Sequence, residues 1–248
     1  MLKKERQAYI IQQINIHNKV LSSDLCVQLD VSEDTVRRDL QELAEEGKLM
    51  KVHGGALAKS FHFTIESKQV YSLPEKKIIA HKAIDLIKDG MLVVISGGTT
   101  MRELVNMLPP DLNATFVTTN VPIALELLEH PNAEVIFLGN KLLKSAQMAV
   151  GAEVVQRLGQ IKADLCLLGT NSIDLHLGIT DLEWEIIEVK KAMIACAQKT
   201  VSLAISEKLN SSQRLQVCPL DEVDILITEL DPSDERLIPY AKRGLSIL

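Results

Sequence analysis

The stretch Val31–Leu40, VSEDTVRRDL, sets a helix start beside two adjacent arginines. Ser32 stands as an N-cap, and Glu33 and Asp34 fall in the first turn, at the positive end of the helix dipole. Val36, Leu40 and Leu43 follow at i, i+4 and i+7 and draw one apolar stripe. Thr35, Arg37, Arg38 and Glu42 lie largely off that stripe. Arginine is the side chain best shaped for guanine edges and phosphates, so this face suits a duplex groove. A solvated arginine pair, neutralised by Asp39 and Glu42, is the competing reading, and the local charges alone lean slightly toward it.

The neighbouring segments build around this helix. KERQAYIIQQINIH predicts a first helix, with Ala8, Ile11 and Ile14 as its stripe and Ile10 beside it. SSDLCVQL predicts a second, capped by Ser22 or Ser23 and carrying Leu25, Val27 and Leu29. Gly47 ends the third helix. KLMKVHGGALA then predicts a small β-hairpin, or wing, with Leu49 and either Met50 or Val52 as apolar anchors and Gly54-Gly55 as its turn. Helix, turn, helix and wing is the layout of a winged helix-turn-helix. Thr35 near the helix start would meet phosphate or a thymine methyl, and Lys51 and His53 would approach from the wing.

Charge is distributed in keeping with this. The chain of 248 residues carries a net charge of −6, yet residues 1–59 hold nine Lys/Arg against nine Asp/Glu. The remainder, with 18 basic and 24 acidic residues, carries the whole deficit and suggests a second domain with a different partner. Aromatics are only 3%, so the core must rest on Leu, Ile, Val and Ala. No apolar run reaches the roughly 18 residues that a membrane helix needs, and the N-terminus has no signal-peptide pattern, so a cytoplasmic protein is expected. Cys26, Cys166, Cys196 and Cys218 are widely spaced and read as reduced, buried thiols. His53 and His81 have no second ligand at metal spacing, and neither metal nor cofactor is expected.

The pattern weakens over 60–74, read as a linker between a domain at 1–59 and another at 75–248, with Pro74 as a break. EKKIIAHKAIDLIKDG predicts a helix with Ile79, Ala83, Leu86 and Ile87 inward and Gly90 as its stop. Short apolar runs then recur at 92–96, 115–119, 135–139, 165–169, 201–206 and 225–228, separated by helical stretches. Runs without polar alternation predict a mainly parallel α/β sheet covered on both faces. SGGTTMREL (96–104) joins one such run to a helix. Gly97 and Gly98 permit close backbone approach, and Thr99 and Thr100 put hydroxyls at a helix N-terminus, which suits a phosphate or carboxylate. A plain glycine-rich turn is the alternative. His176 lines the mouth of such a site or is merely exposed, and Trp184 packs its own helix or an oligomer contact.

VSEDTVRRDLQELAEEGKLMKVHGGA resembles the N-terminal signature of the DeoR family of bacterial transcriptional regulators. Ser32, Thr35, Arg37, Arg38, Asp39, Leu40, Leu43, Gly47 and the His53–Ala56 run carry the match, with Glu5-Arg6 fitting the first helix. The resemblance implies operator binding through Ser32, Thr35, Arg37, Arg38, Lys51 and His53, with Asp39 orienting an arginine. It continues through EKKIIAHKA, SGGTT, TTN, FLGN, LGTNSID, GIT, EVKKAM and ISEKL, and so covers nearly the whole chain. The family's effector domain is similar to ribose-5-phosphate isomerases. That implies a pocket for a phosphorylated sugar formed by Gly97, Gly98, Thr99, Thr100, Thr119, Asn120, Lys190 and Lys208.

This sequence departs from the family at places associated with that pocket. Ser96, Asn171, Ile186 and Ile205 stand where the pattern carries carboxylates, and Asn140 replaces a glycine. Both lysines remain, so the pocket is more positive and less suited to polyol hydroxyls, which implies either an unusual effector, more acidic or with fewer hydroxyls, or weakened sensing. The expected function is a repressor of a carbohydrate operon, controlled by a phosphorylated sugar or related anion and acting on double-stranded operator DNA as a dimer or higher homo-oligomer. The alternatives are a C-terminal half that only oligomerises, or a sugar-phosphate isomerase. The loss of candidate proton-transfer carboxylates argues against the isomerase.

Overall fold

The computed structural model describes residues 1–17, 19–58 and 70–248. The chain divides into two compact units, Met1–Tyr71 and Ser72–Leu248. Most of the expected linker, residues 60–69, lies outside the described residues.

The first unit has helices α1 (Lys3–His17), α2 (Ser22–Leu29) and α3 (Glu33–Glu45), and strands β1 (Lys19–Leu21), β2 (Leu49–Val52) and β3 (Gly55–Ala58). The strands form one antiparallel sheet in the order β1-β3-β2. The hairpin β2–β3 is the wing, and Gly54 turns it with φ 76°. Gly55 is required beside β1, because a Cβ there would stand 2.0 Å from the Val20 carbonyl oxygen. Ser32 caps α3 by accepting from the Thr35 amide. Gly47, at φ 71°, ends α3, and the next amide, Lys48, donates back to the Leu43 carbonyl at 2.8 Å.

Val36, Leu40 and Leu43 are buried against Ile10, Ile14, Leu25 and Leu29. Two expected stripes need correction. In α1 the buried pair is Ile10 and Ile14, with Ile16, while Ala8 is exposed and Ile11 half-buried. In α2 Leu25 and Leu29 are buried but Val27 is 83% exposed. Val27 stands two positions from both Leu25 and Leu29, which carries it more than half a turn away from the core face. The α2 cap also differs, since Leu21 occupies the position and Ser22 already lies inside the helix.

The second unit is a parallel α/β domain. Its main sheet has seven strands: β4 (Leu92–Ile95), β5 (Thr115–Thr118), β6 (Glu134–Phe137), β9 (Leu165–Gly169), β12 (Thr200–Leu203), β14 (Ile225–Ile227) and β15 (Ser246–Ile247). Their order is β15-β14-β12-β9-β4-β5-β6, and all pairings are parallel. Val93, Val94, Ile95, Leu167 and Leu168 are fully buried, as strands covered on both faces require. Two smaller sheets accompany it. One pairs β7 (Lys141–Leu143) with β8 (Met148–Val150); the other orders β10 (Ser172–Asp174), β11 (Gly178–Asp181) and β13 (Leu215–Cys218).

The flanking helices include α4 (Leu73–Ile84), α5 (Thr99–Asn106), α6 (Val121–Leu127), α7 (Ala152–Leu158), α8 (Trp184–Ala195) and α9 (Ile238–Lys242). Pro74, read as a break, instead sits in the first turn of α4, where no intrahelical bond needs its missing N–H. Trp184 is 65% exposed at the start of α8, so it does not pack its own helix. Burial pushes the Cys218 thiol up to about 12 and raises Cys166 and Cys196, while Cys26 is only partly covered. Among the described residues no helix is long and apolar enough to cross a membrane.

Candidate DNA-binding face and effector site

The exposed side of α3 carries Ser32, Arg37 and Arg38, with Thr35 half-buried at its start. Arg37 meets Asp34 at 3.1 Å, both about 69% exposed, a pair too solvated to hold the guanidinium firmly. Arg38 forms no ion pair among the described residues. On the wing, Lys51 donates to Gln41 of α3 at 2.9 Å, and His53 is exposed at the turn.

Asp39 does not steer these arginines. It is 1% exposed on the stripe side of α3 and pairs with Arg6 of α1 through Nε and Nη2. Hydrogen bonding to Asp39 holds the Arg6 guanidinium above its ordinary range. Glu42, expected on the free face, is tied to Lys3 and Gln7 of α1. The acidic residues that seemed to neutralise Arg37 and Arg38 are therefore turned toward α1.

In the second unit β4 is the first strand of the sheet. The chain moves to β5 and β6 on one side of it, and later to β9, β12, β14 and β15 on the other. The carboxyl ends of β4 and β9 thus form a topological switch point, where open α/β sheets bind ligands. The loop Ser96–Thr100 lies there. Gly98 caps α5 at φ 116°, which favours glycine. A Cβ on Gly97 would stand 2.3 Å from Asn120 Nδ2, and one on Gly169 2.8 Å from the Gly97 carbonyl oxygen. Ser96 Oγ accepts from the Gly169 amide at 2.7 Å and ties the two strand ends together.

Around this crevice stands a cluster of charge. Lys190 of α8 donates to Asp181 Oδ2 at 2.8 Å and to the Gly169 carbonyl at 3.2 Å. Asp181 also accepts from Asn171 Nδ2 at 3.1 Å and from the Leu182 amide. Burial works to raise the Asp181 carboxyl, but Lys190 and these bonds hold it below the ordinary range. Lys208 donates to the Thr170 carbonyl at 2.7 Å. The residue is half-buried, and burial of its amino group, with Lys76 and Lys190 nearby, lowers it to about 7 against the pull of Asp181. Burial likewise lowers Lys76 of α4 to about 8, opposed by Glu103, Glu75 and Glu207.

Residues 72–230 match the family description "DeoR C terminal sensor domain", and residues 6–61 match "DeoR-like helix-turn-helix domain". The chain belongs to the DeoR family. It is 32% identical to the HTH-type transcriptional repressor GlcR of Bacillus subtilis (strain 168), over 100% of this chain and 96% of that one. It is 28% identical to the glycerol-3-phosphate regulon repressor of Haemophilus influenzae, over 98% and 94%. Ribose 5 phosphate isomerase A from Neisseria gonorrhoeae aligns with 56% of this chain and 53% of its own, at 16% identity and a TM-score of 0.41. As a DeoR-type protein the chain is a DNA-binding transcriptional regulator with an effector-sensing domain, and not an enzyme.

The residues expected in the DeoR effector pocket are not equivalent. Gly97, Gly98, Thr99 and Thr100 form the loop, and Lys190 and Lys208 face the neighbouring strand ends. Thr119 is 1% exposed after β5, and its Oγ1 has no hydrogen-bond partner among the described residues. Asn120 is a scaffold residue: its Oδ1 caps α6 by accepting from the Ile123 amide, and its Nδ2 donates to the Ala146 carbonyl. Of the departures, Ser96 and Asn171 stand in the site. Ile186 packs in the core, Ile205 opens the 3-10 turn that carries Lys208, and Asn140 is exposed against Glu153. His176 is exposed. Lys76 was not expected in the site at all.

Gly97→Ala is expected to dislodge the Asn120 side chain. Loss of an Asn cap alone costs about 1 kcal/mol, and the backbone shift adds to it. Thermal unfolding of the second unit measures this; a stability within 0.5 kcal/mol of the parent would mean the contact relaxes freely.

Proposed function

We propose that this DeoR-family protein represses a carbohydrate-metabolism operon and that a phosphorylated sugar or related anionic metabolite controls its grip on the operator. The observation that carries the reading is the switch-point edge of the sheet, where the Gly98–Thr100 helix start, Lys190 and Lys208 gather at neighbouring strand ends beside a buried Thr119 hydroxyl that has no partner among the described residues. Helix N-termini with free amides and hydroxyls favour phosphate, and buried lysines beside them are costly to keep without a ligand to serve. That GlcR is named a repressor, and the Haemophilus relative a glycerol-3-phosphate regulon repressor, supports the choice of class.

Ser32, Thr35, Arg37, Arg38, Lys51 and His53 are the residues we assign to DNA. The protein then acts in the cytoplasm as a homo-oligomer, because one winged helix covers a half-site and operators mirror protein symmetry. The effector acts by binding the DNA-competent and DNA-incompetent states with different affinity.

Two measurements test the reading. Mobility shift on DNA upstream of the protein's own operon should show a complex that weakens steeply with salt and responds to one member of a sugar-phosphate panel. That compound, at 100 times its Kd, should stabilise the protein by about 2.7 kcal/mol. Thr99→Val/Thr100→Val should lose the response. A double variant that responds normally would remove the phosphate-loop assignment.

A further inference from the structure

We infer that the effector carries a carboxylate as well as a phosphate, and that Lys208 receives the carboxylate: the ligand is a phosphorylated sugar acid, not a phosphorylated aldose or ketose. The inference rests on the phosphate-loop reading above and adds the second charge. Four positions run along the carboxyl edge of the sheet in strand order: Thr119 after β5, the Ser96–Thr100 loop after β4, Thr170 after β9 and Lys208 after β12. Neighbouring strands stand about 4.8 Å apart, so the phosphate loop and Lys208 are one to two strand spacings from each other, roughly 5–10 Å. A single phosphate fills one end of that edge.

The charges at the other end do not balance within the protein. Asp181 is already engaged by Lys190 and Asn171. Lys208 is held by the neutral Thr170 carbonyl, and among the described residues no carboxylate reaches ion-pair distance from it. The two family carboxylates nearest the crevice are replaced by neutral side chains that are themselves employed. Ser96 accepts the Gly169 amide, and Asn171 donates to Asp181. An enclosed ammonium without a counterion is costly, and a ligand carboxylate supplies the counterion. A neutral hydroxyl or carbonyl at that end does not.

The cluster also sets the pH dependence. Lys208 is faced by Lys76 from α4, Lys190 from α8 and Asp181 from β11. With an amine near 7 in the free protein, Lys208 is charged before binding below that pH. Above it, binding must first take up a proton. The affinity for the acid therefore falls as pH rises through about 7.

The test uses the full chain and calorimetry on matched pairs: aldose phosphates of about three to six carbons, and the phosphorylated aldonic acids obtained from them by oxidising C1. The two members share phosphate and hydroxyls, so phosphate titration cancels in their ratio. For the best pair we expect the acid to bind at least tenfold tighter at pH 6.5, with the ratio shrinking by pH 8.5. Lys208→Met should bring the ratio toward one. Ser96→Asp keeps an acceptor for the Gly169 amide, adds a negative charge, and should weaken the acid more than the aldose. Equal affinities in the parent, or a ratio unchanged in Lys208→Met, overturn the inference. Binding of aldose phosphates in preference to acids overturns it and leaves the phosphate-loop reading standing. No binding by any phosphorylated compound, beside binding of the unphosphorylated acids, overturns both.

Discussion

Asp39→Ala should destabilise the winged-helix unit by about 3–5 kcal/mol, the range for removing one partner of a buried ion pair. The expectation follows from burial: the Arg6 and Asp39 side chains are 12% and 2% exposed, and α1 and α3 meet through them. Without Asp39 the Arg6 guanidinium is left largely covered and uncompensated. Replacing both residues by apolar ones, as in Arg6→Met/Asp39→Leu, should recover most of the loss, because the penalty lies in the orphaned charge and not in the missing attraction. Amide hydrogen exchange in α1 and α3 of the full chain reads this directly. Protection in Asp39→Ala within 1 kcal/mol of the parent would show that Arg6 finds water or another partner. Operator affinity should fall only as far as the folded fraction falls.

Arg37→Ala/Arg38→Ala should behave in the opposite way. Both side chains are exposed, so stability should change by no more than about 0.5 kcal/mol. Operator affinity should drop by about 2–6 kcal/mol, at 1–3 kcal/mol for each good base contact. The two need not act alike. Arg37 leaves a weak pair with Asp34 on reaching DNA, whereas Arg38 has no ion pair to break among the described residues. If one of them meets phosphate, its single variant lowers the salt dependence by about one counterion and weakens all sequences alike. If it meets a base edge, the variant relaxes preference at one position. Mobility shifts at several salt concentrations separate these cases, and unchanged binding by the double variant would remove α3 as the recognition helix.

Much of this architecture is legible in the chain before folding. The Ser32 cap, the stripe Val36–Leu40–Leu43, the wing and six of the sheet strands follow from local patterns. The two-residue β15 does not, because a run so short carries no periodicity, and neither does the small β10-β11-β13 sheet, whose pairing brings β13 back across α8 and β12 to β11. The instructive residues are the charged ones that lie on a buried stripe. Asp39 follows Val36 and precedes Leu40 and Leu43 in phase; Lys76 is in phase with Ile79, Ala80 and Ala83; Lys190 with Ile186, Ile187, Met193 and Ile194. Each can be recognised from spacing as a charge that must find a partner inside. The partners cannot. Arg6 lies 33 residues before Asp39, and Asp181 comes from a different element than Lys190. Periodicity tells which side of a helix is buried, while the group opposite is chosen by tertiary packing. That is why Asp39 reads locally as a mate for Arg37 or Arg38 and is in fact turned away.

The pairing of β1 with β3 has a consequence for how the first unit meets a double helix. Lys19–Leu21 is the connection between α1 and α2, yet its three residues are laced to the wing with no room for a side chain at Gly55. The wing is therefore one jaw of a calliper, fixed by backbone hydrogen bonds to the α1–α2 connection and not by the object it grips, with α3 as the other jaw. A calliper measures. If Arg38 on one jaw and His53 on the other both meet DNA, as proposed, a duplex of the wrong groove width satisfies either but not both, and some of the discrimination among sites would then come from DNA shape at base pairs that neither jaw touches.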